Sequence, residues 1–247
     1  MIVRLWQHGV SLALLIAVWQ LAASFADLRE LPPPLSVARA MVDGLAAGEM
    51  LHHVAVTLAR VAASFALAMV VGTAVGLALG RSALLDRLFG GWLLFFLNLP
   101  ALVVIILCYV WFGLGETAAL TAVAASKIPN VAVVMREGAR TLDEDLRDMA
   151  RVFRFGPWRL FRHVVMPQLA PFLLAAARSG LSLIWKIVLV VELLGRSNGV
   201  GFQLHVYFQL FDVTAILAYA MAFILVVQAI EWGILQPAER RLARWRR

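Results

Sequence analysis

Three ionisable residues, Lys186, Glu192 and Glu231, lie inside long apolar runs of this 247-residue chain. A charge at bilayer depth costs several kcal/mol unless it faces protein or water, so each is a candidate functional group. Six positions separate Lys186 from Glu192, which puts them on different faces of a helix and argues against a direct pair. A lysine facing an aqueous pathway favours an anionic solute; a pair with another helix, or snorkelling, is the structural alternative. Bond-breaking chemistry finds less support. The adjacent His52 and His53 point about 100° apart on a helix and make a poor chelate, better read as interface histidines. His163 and His205 stand alone and read as surface or packing residues. Cys108 is the only cysteine, which removes disulfide frameworks and cysteine metal sites. The chain has no Gly-x-x-x-x-Gly-Lys-Ser/Thr loop, no His-Glu-x-x-His and no Gly-x-Ser-x-Gly, so nucleotide binding through a P-loop and the commonest hydrolase arrangements are excluded.

Composition places these residues in a membrane. Hydrophobic residues make up 62% of the chain and the mean hydropathy is +0.86, far more apolar surface than a soluble chain of this length could hide. The net charge of +7 could suggest nucleic acid, but the arginines are grouped at the ends of apolar runs, as a topology signal would be. No nucleic-acid partner is expected.

One stretch, from Arg136 to Pro171, is charged yet lies between apolar spans. It carries seven arginines between Arg136 and Arg162, together with Glu137, Asp143, Glu144, Asp145 and Asp148, and belongs in water or at a headgroup surface. Leu142, Leu146, Met149 and Phe153 recur at helical spacing and predict an amphipathic helix with one narrow apolar stripe. Gly156-Pro157 breaks it, and the fixed φ of Pro157 suits the first position of a second short helix, with Trp158, Leu160, Phe161, Val164 and Val165 as its apolar contacts. A compact helical knob outside the bilayer follows.

These residues resemble a known pattern. Asp148-Met149-Ala150, Arg154 and Val164-Val165-Met166-Pro167 fall on the spacing of the EAA loop of ABC importer permeases: Glu-Ala-Ala, three residues, Gly, nine residues, Ile-x-Leu-Pro. Asp148 replaces the Glu, Met149 an Ala, Arg154 the Gly, and Val164 and Met166 the Ile and Leu. With arginine at the glycine position, the turn falls either at Arg154 or at Gly156. Other segments are similar to the nitrate, sulfonate and taurine branch of the same family: Leu31 to Val37; Thr57-Leu58-Ala59-Arg60; Trp111-Phe112-Gly113-Leu114-Gly115-Glu116; and Trp185 to Gly201 with Glu192-Leu193-Leu194 and Gly199-Val200-Gly201. The resemblance covers about Leu31 to Arg247. It implies that Asp148, Met149, Ala150, Arg151, Phe153, Arg154, Phe155, Gly156 and Pro157 form the coupling helix that docks in a groove of a cytoplasmic ATPase. It also makes a gate or packing role for Glu192 better supported than catalysis.

Six apolar spans can be drawn. The first, Gly9 to Phe25, is near the lower length limit. A cleaved signal peptide is its rival reading, but no Ala-x-Ala-like site stands out, and Trp6 and Trp19 suit interface anchors. Residues 27–50, with Pro32-Pro33-Pro34, predict an extended connection. The second span, about His53 to Leu79, holds Gly72, Gly76 and Gly80 on one face, for sliding or for ordinary close packing. The third, Trp92 to Phe112, contains Pro100 and predicts a kinked, pore-lining helix. The fourth, Thr117 to Met135, is interrupted by Lys127 and Pro129; the fifth runs from Phe172 to Leu194 and the sixth from Val213 to Leu235. Six spans put both termini on the side of the knob. That side collects fifteen basic residues, five of them in the tail Arg240, Arg241, Arg244, Arg246 and Arg247, against Arg29, Arg39 and Arg196 opposite. The positive-inside rule therefore predicts cytoplasmic termini and a cytoplasmic knob, with the tail and Trp245 anchored on anionic membrane lipid.

The expectation is an all-α polytopic membrane protein with six transmembrane helices and the type I ABC importer (MetI-like) permease fold. Residues 1–50 form the first helix and a periplasmic loop, 51–236 the permease domain with its coupling loop at 136–171, and 237–247 a basic cytoplasmic tail. The chain itself binds no cofactor. ATP and Mg belong to two partner ATPase subunits, a second copy completes a homodimer, and a periplasmic solute-binding protein delivers a small anion across the bacterial inner membrane. Pro100, Lys186 and Glu192 are the pathway or gate candidates. An ion-gradient-driven carrier using Lys186 and Glu192 is the alternative.

Overall fold

A computed structural model describes residues 2–27, 30–235 and 237. All regular structure among them is helical. The arginine tail with Trp245 lies outside the described residues, as does Arg29.

The chain forms two compact units, residues 1–57 with 197–229 and residues 58–196 with 230–247. In the first, α1 (Ile2–Phe25) leads to α2 (Pro34–Ala46). The extended connection predicted for residues 27–50 is therefore corrected: only its proline run is extended. Pro34 takes the first helical position, where a missing N–H costs nothing, and the apolar Val37 is buried. Gly48, at φ 79°, ends this segment, and α3 (Glu49–Arg81) begins directly after it. Met50 packs on Gly44, its Cε 3.0 Å from where a Cβ would stand. The unit is completed by α10 (Val200–Gln209) and most of α11 (Val213–Ile230).

The second unit is built on the remainder of α3, α4 (Ala83–Leu97), α5 (Ala101–Phe112), α6 (Glu116–Arg140) and α9 (Met166–Gly195). Between α6 and α9 come α7 (Glu144–Val152), α8 (Pro157–Leu160) and a π-helical turn, Phe161–Val165, that runs into α9. The glycine face of α3 meets α6. A Cβ on Gly76 would stand 2.5 Å from the Ala132 carbonyl, and one on Gly80 2.5 Å from that of Arg136. Gly76 and Gly80 thus serve backbone-to-backbone packing, and Gly72 makes room for the Val131 side chain. Val131 and Met135 of α6 interlock with Leu169 and Ala176 of α9 in a buried apolar cluster.

Two expectations for this unit change. The third span is no kinked single helix. It breaks at Asn98–Pro100 into α4 and α5, bent by 97°. Asn98 closes α4 by donating from Nδ2 to the Leu94 carbonyl at 2.7 Å, and Pro100 becomes the N-cap of α5. Conversely, α6 passes through Lys127 and Pro129 without interruption.

Four described helical runs are long and apolar enough to cross a membrane: Glu49–Arg81, Glu116–Arg140, Pro157–Gly195 and Val213–Gly233. The bent pair α4–α5 makes a fifth if counted as one span. A count of six also requires α1, whose apolar segment Gly9–Phe25 falls in a shorter class.

Candidate functional site

The knob joins the end of α6 to the start of α9. Asp143 opens α7, its Oδ1 accepting from the Asp145 N–H at 2.8 Å, an acidic cap that also suits the helix dipole. At the other end, the Phe155 N–H donates to the Ala150 carbonyl at 2.9 Å and the Arg154 N–H to the Arg151 carbonyl at 3.0 Å. This pair of bonds defines a Schellman turn, whose left-handed position is Arg154, at φ 51°. Gly156, at φ −65°, is extended and leads into Pro157, the first residue of α8. Of the two placements left open by the sequence, the turn falls at Arg154.

The knob's exterior sets exposed apolar side chains among exposed charges such as Asp148, Arg151 and Arg159. Ala150 is 1% exposed and anchors α7 inward, whereas Phe153 is 69% exposed. Leu146, Met149, Val152 and Trp158 are exposed as well, and Trp158 stacks on Phe161 at 6.1 Å. The predicted stripe of Leu142, Leu146, Met149 and Phe153 divides: Leu142 packs against the α6–α9 cluster, and the other three face outward. Asp148 and Arg151 pair on the surface at 2.7 Å.

At the opposite end of α6 and α9 lies an ionic cluster with a buried Arg60–Glu192 core and Glu116 half exposed at its edge. Glu192 has no exposure and accepts from Arg60 Nη1 at 2.8 Å. Arg60, itself 5% exposed, also donates from Nε to Glu116 Oε2 at 2.9 Å. Glu116 accepts in addition from Arg196 Nη2 at 2.7 Å. Tyr109 donates to the Val191 carbonyl at 2.7 Å. The cluster ties α3, the α5–α6 turn and the end of α9 at one point. Glu192 is thus buried and held by Arg60 at the end of α9. Arg60, Glu116 and Glu192 each sit in a segment whose family resemblance the sequence shows, yet nothing in those segments announces that they converge.

In the first unit, His53 is buried rather than interfacial. Its Nδ1 accepts from the Gly199 N–H at 3.0 Å, and Thr57 Oγ1 accepts from the Val200 N–H at 2.8 Å. Gly199, at φ 106°, is the position that frees these two N–H groups for α3.

Lys127, in the middle of α6, is 1% exposed; its Nζ donates to Asn130 Oδ1 at 2.8 Å and to the Ser179 carbonyl at 3.3 Å. Lys186 lies exposed on α9 and makes no hydrogen bond or ion pair among the described residues. Pro100 sits at the α4–α5 break, apart from both lysines in the chain.

A bundle of helices long and apolar enough to cross a membrane, joined by an elbow that exposes Phe153 and Trp158, is the build of a membrane component. Residues 40–232 match the family described as the binding-protein-dependent transport system inner membrane component, and the chain belongs to that family. It is similar to SsuC of Bacillus subtilis, whose name assigns it provisionally to aliphatic sulfonates transport as a permease protein, with 27% identity over 98% of this chain and 88% of that one. It is also similar to the taurine transport system permease protein TauC of Escherichia coli, with 24% identity over 95% and 88%. Among solved structures, the MetNI methionine ABC transporter shares the fold with a TM-score of 0.65, at 19% identity over 79% of this chain and 95% of that chain.

Proposed function

We propose that this chain is the transmembrane subunit of an ATP-driven importer of a small anion, of the sulfonate, taurine or nitrate kind, in a bacterial inner membrane. The observation that carries the reading is the knob: an apolar surface, turned out at Phe153 and Trp158 on a rigidly capped elbow, needs a protein partner to cover it. A coupling surface for an ATPase meets that need, with Asp148 to Pro157 as the contact segment. The family supports it, because binding-protein-dependent systems work with ATPase subunits and a solute-binding protein. Two ATPase subunits, which supply ATP and Mg, a second copy of this chain and a periplasmic binding protein complete the assembly. Both termini and the knob face the cytoplasm, as the arginine distribution favours. ATP binding closes the ATPase pair, the knobs move with it, and the helices rock between outward and inward access around the solute. Of the pathway and gate candidates, Glu192 acts through the Arg60 cluster, Pro100 through the α4–α5 break, and Lys186 from an exposed face. The sulfonate and taurine part of the solute class rests on the names of the relatives, and nitrate on the sequence resemblance.

An ion-driven carrier would need a carboxylate free to take and release its ion. Glu192, fully buried against Arg60, is poorly placed for that. The test is uptake of an alkanesulfonate by vesicles containing the chain with the ATPase and binding protein encoded beside it. The proposal requires accumulation that stops without ATP and survives collapse of the ion gradients. Accumulation that needs a gradient and ignores ATP would overturn it.

A further inference from the structure

Two ammonium groups in the second unit lack a carboxylate. Lys127 and Lys186 lie within helical runs apolar enough to span a membrane, and neither forms an ion pair among the described residues. A cation at that depth needs a counter-charge or water. Lys127 is held by a carbonyl and an amide oxygen, which take two of its three N–H groups without neutralising it.

The surrounding polar groups can donate: Asn130 through its free Nδ2, and the two serine hydroxyls by turning from the carbonyls they now bond, Ser179 from Ala176 and Ser182 from Ser179. Because Lys127 Nζ fixes Asn130 Oδ1 as the acceptor, Asn130 Nδ2 points the other way, and it has no partner among the described residues. Ser179 Oγ lies 3.4 Å from the same Oδ1, and Ser182 Oγ donates to the Ser179 carbonyl at 3.2 Å. On a helix of 3.6 residues per turn, Ser179, Ser182 and Lys186 fall within about 60° of one another. All three are exposed. They form a polar strip across the midpoint of α9, flanked on the same face by the exposed Leu183, Val190 and Leu193. Hydrocarbon cannot solvate such a strip, so it faces protein or an aqueous passage.

The geometry points to an oxyanion track: Asn130, Ser179, Ser182 and Lys186 line the water-filled passage and contact the solute's anionic oxygens, with Lys127 as the fixed positive charge behind them. This rests on the transport reading above and adds to it where the solute passes and what it must carry. The rise from Ser179 to Lys186 is about 10 Å, so an anion meets successive stations rather than one closed pocket. Sulfonate and carboxylate oxygens share the required chemistry.

The experiment replaces the sole cysteine, Cys108, which is buried, by Ala and introduces Ser182→Cys in the assembled transporter in native membranes. Two membrane-impermeant methanethiosulfonates of similar size, one carrying a sulfonate and one a quaternary ammonium, are then compared. The sulfonate reagent is expected to react at least about tenfold faster, as for a site that concentrates anions. Adding Lys186→Met is expected to cut that preference at least about threefold, and Lys186→Arg to retain it. A Ser182→Cys thiol inert to both reagents, or a preference unmoved by Lys186→Met, overturns the track. If the wild-type assembly shows no ATP-driven uptake while the anion preference and its loss are seen, the track stands and the transport reading falls. ATP-driven uptake alongside an inert introduced thiol does the reverse.

Discussion

At one end of the α6–α9 pair, Glu192 has no exposure and Arg60 reaches both it and Glu116. At the other, Phe153 and Trp158 stand 69% and 67% exposed on the knob. The first end pairs Arg60 with Glu192 and hides both, with Glu116 half exposed at its edge. The second caps its backbone with care, through Asp143 and the Schellman turn, yet leaves its apolar side chains without cover. A joint and a docking surface differ in this way: a joint needs each polar group paired so that the helices meeting there keep one arrangement, and a docking surface needs a stiff backbone with unpaired side chains. The same two helices carry both, which is what the proposed coupling requires of them: a path from the knob along α6 and α9 to the Arg60–Glu192 pair.

The comparison can be broken most severely at the joint. Arg60→Met leaves Glu192 buried without its cation, and a loss of about 3–5 kcal/mol is expected, read as a fall in the thermal unfolding midpoint of the purified protein in detergent. Adding Glu192→Met should recover much of it, because the uncompensated charge is then gone. If the single variant melts like the parent, the cluster is not a joint. Next comes Gly76→Leu, whose side chain must enter the space of the Ala132 carbonyl. Overpacking of this kind costs about 1–3 kcal/mol, visible in the same melting assay, and an unchanged midpoint would contradict the close α3–α6 contact.

The knob predicts smaller and different changes. Arg154 occupies left-handed backbone at φ 51°, where a side chain is disfavoured by about 1–2 kcal/mol. Arg154→Gly should therefore stabilise the turn by about 1 kcal/mol, measured as slower amide exchange at Phe155 and at position 154 itself; faster exchange would remove the Schellman assignment. The smallest effect on stability is expected for Phe153→Ala, within about 0.5 kcal/mol as for other exposed positions, although ATP-driven uptake should drop. A large fall in the melting midpoint would show that Phe153 packs within the chain instead of serving a partner.

Much of this is legible in the sequence because local signals carry it. The helix of the knob, its arrest before Pro157 and the long apolar runs depend on spacing within one segment, and they appear where expected except that the third run breaks at Asn98–Pro100 and the fifth begins earlier, at Pro157. Pairing across the chain is not legible. Arg60, Glu116 and Glu192 are separated by 56 and 76 residues, and nothing in the spacing of each segment says which opposite charge it meets; their shared signal is ionisable character inside or beside apolar runs. Lys127 reads only as an interruption, since part of its compensation comes from Ser179 on a helix apart. The proline run hides α2 because proline forbids a helix interior but suits a helix start, and the sequence alone does not say which applies at Pro34. Arg154 goes against local preference: an arginine in left-handed backbone is held there by the two hydrogen bonds of the turn and not by its own propensity.

The central claim is that the knob is where force enters. With Phe153→Cys in a Cys108→Ala background, a short bifunctional thiol cross-linker added to membranes holding the assembled transporter should join this chain to the nucleotide-hydrolysing subunit, with a yield that changes when ATP and Mg are supplied. Failure to capture that subunit from Phe153, while Leu84→Cys on α4 does capture it, would contradict the account.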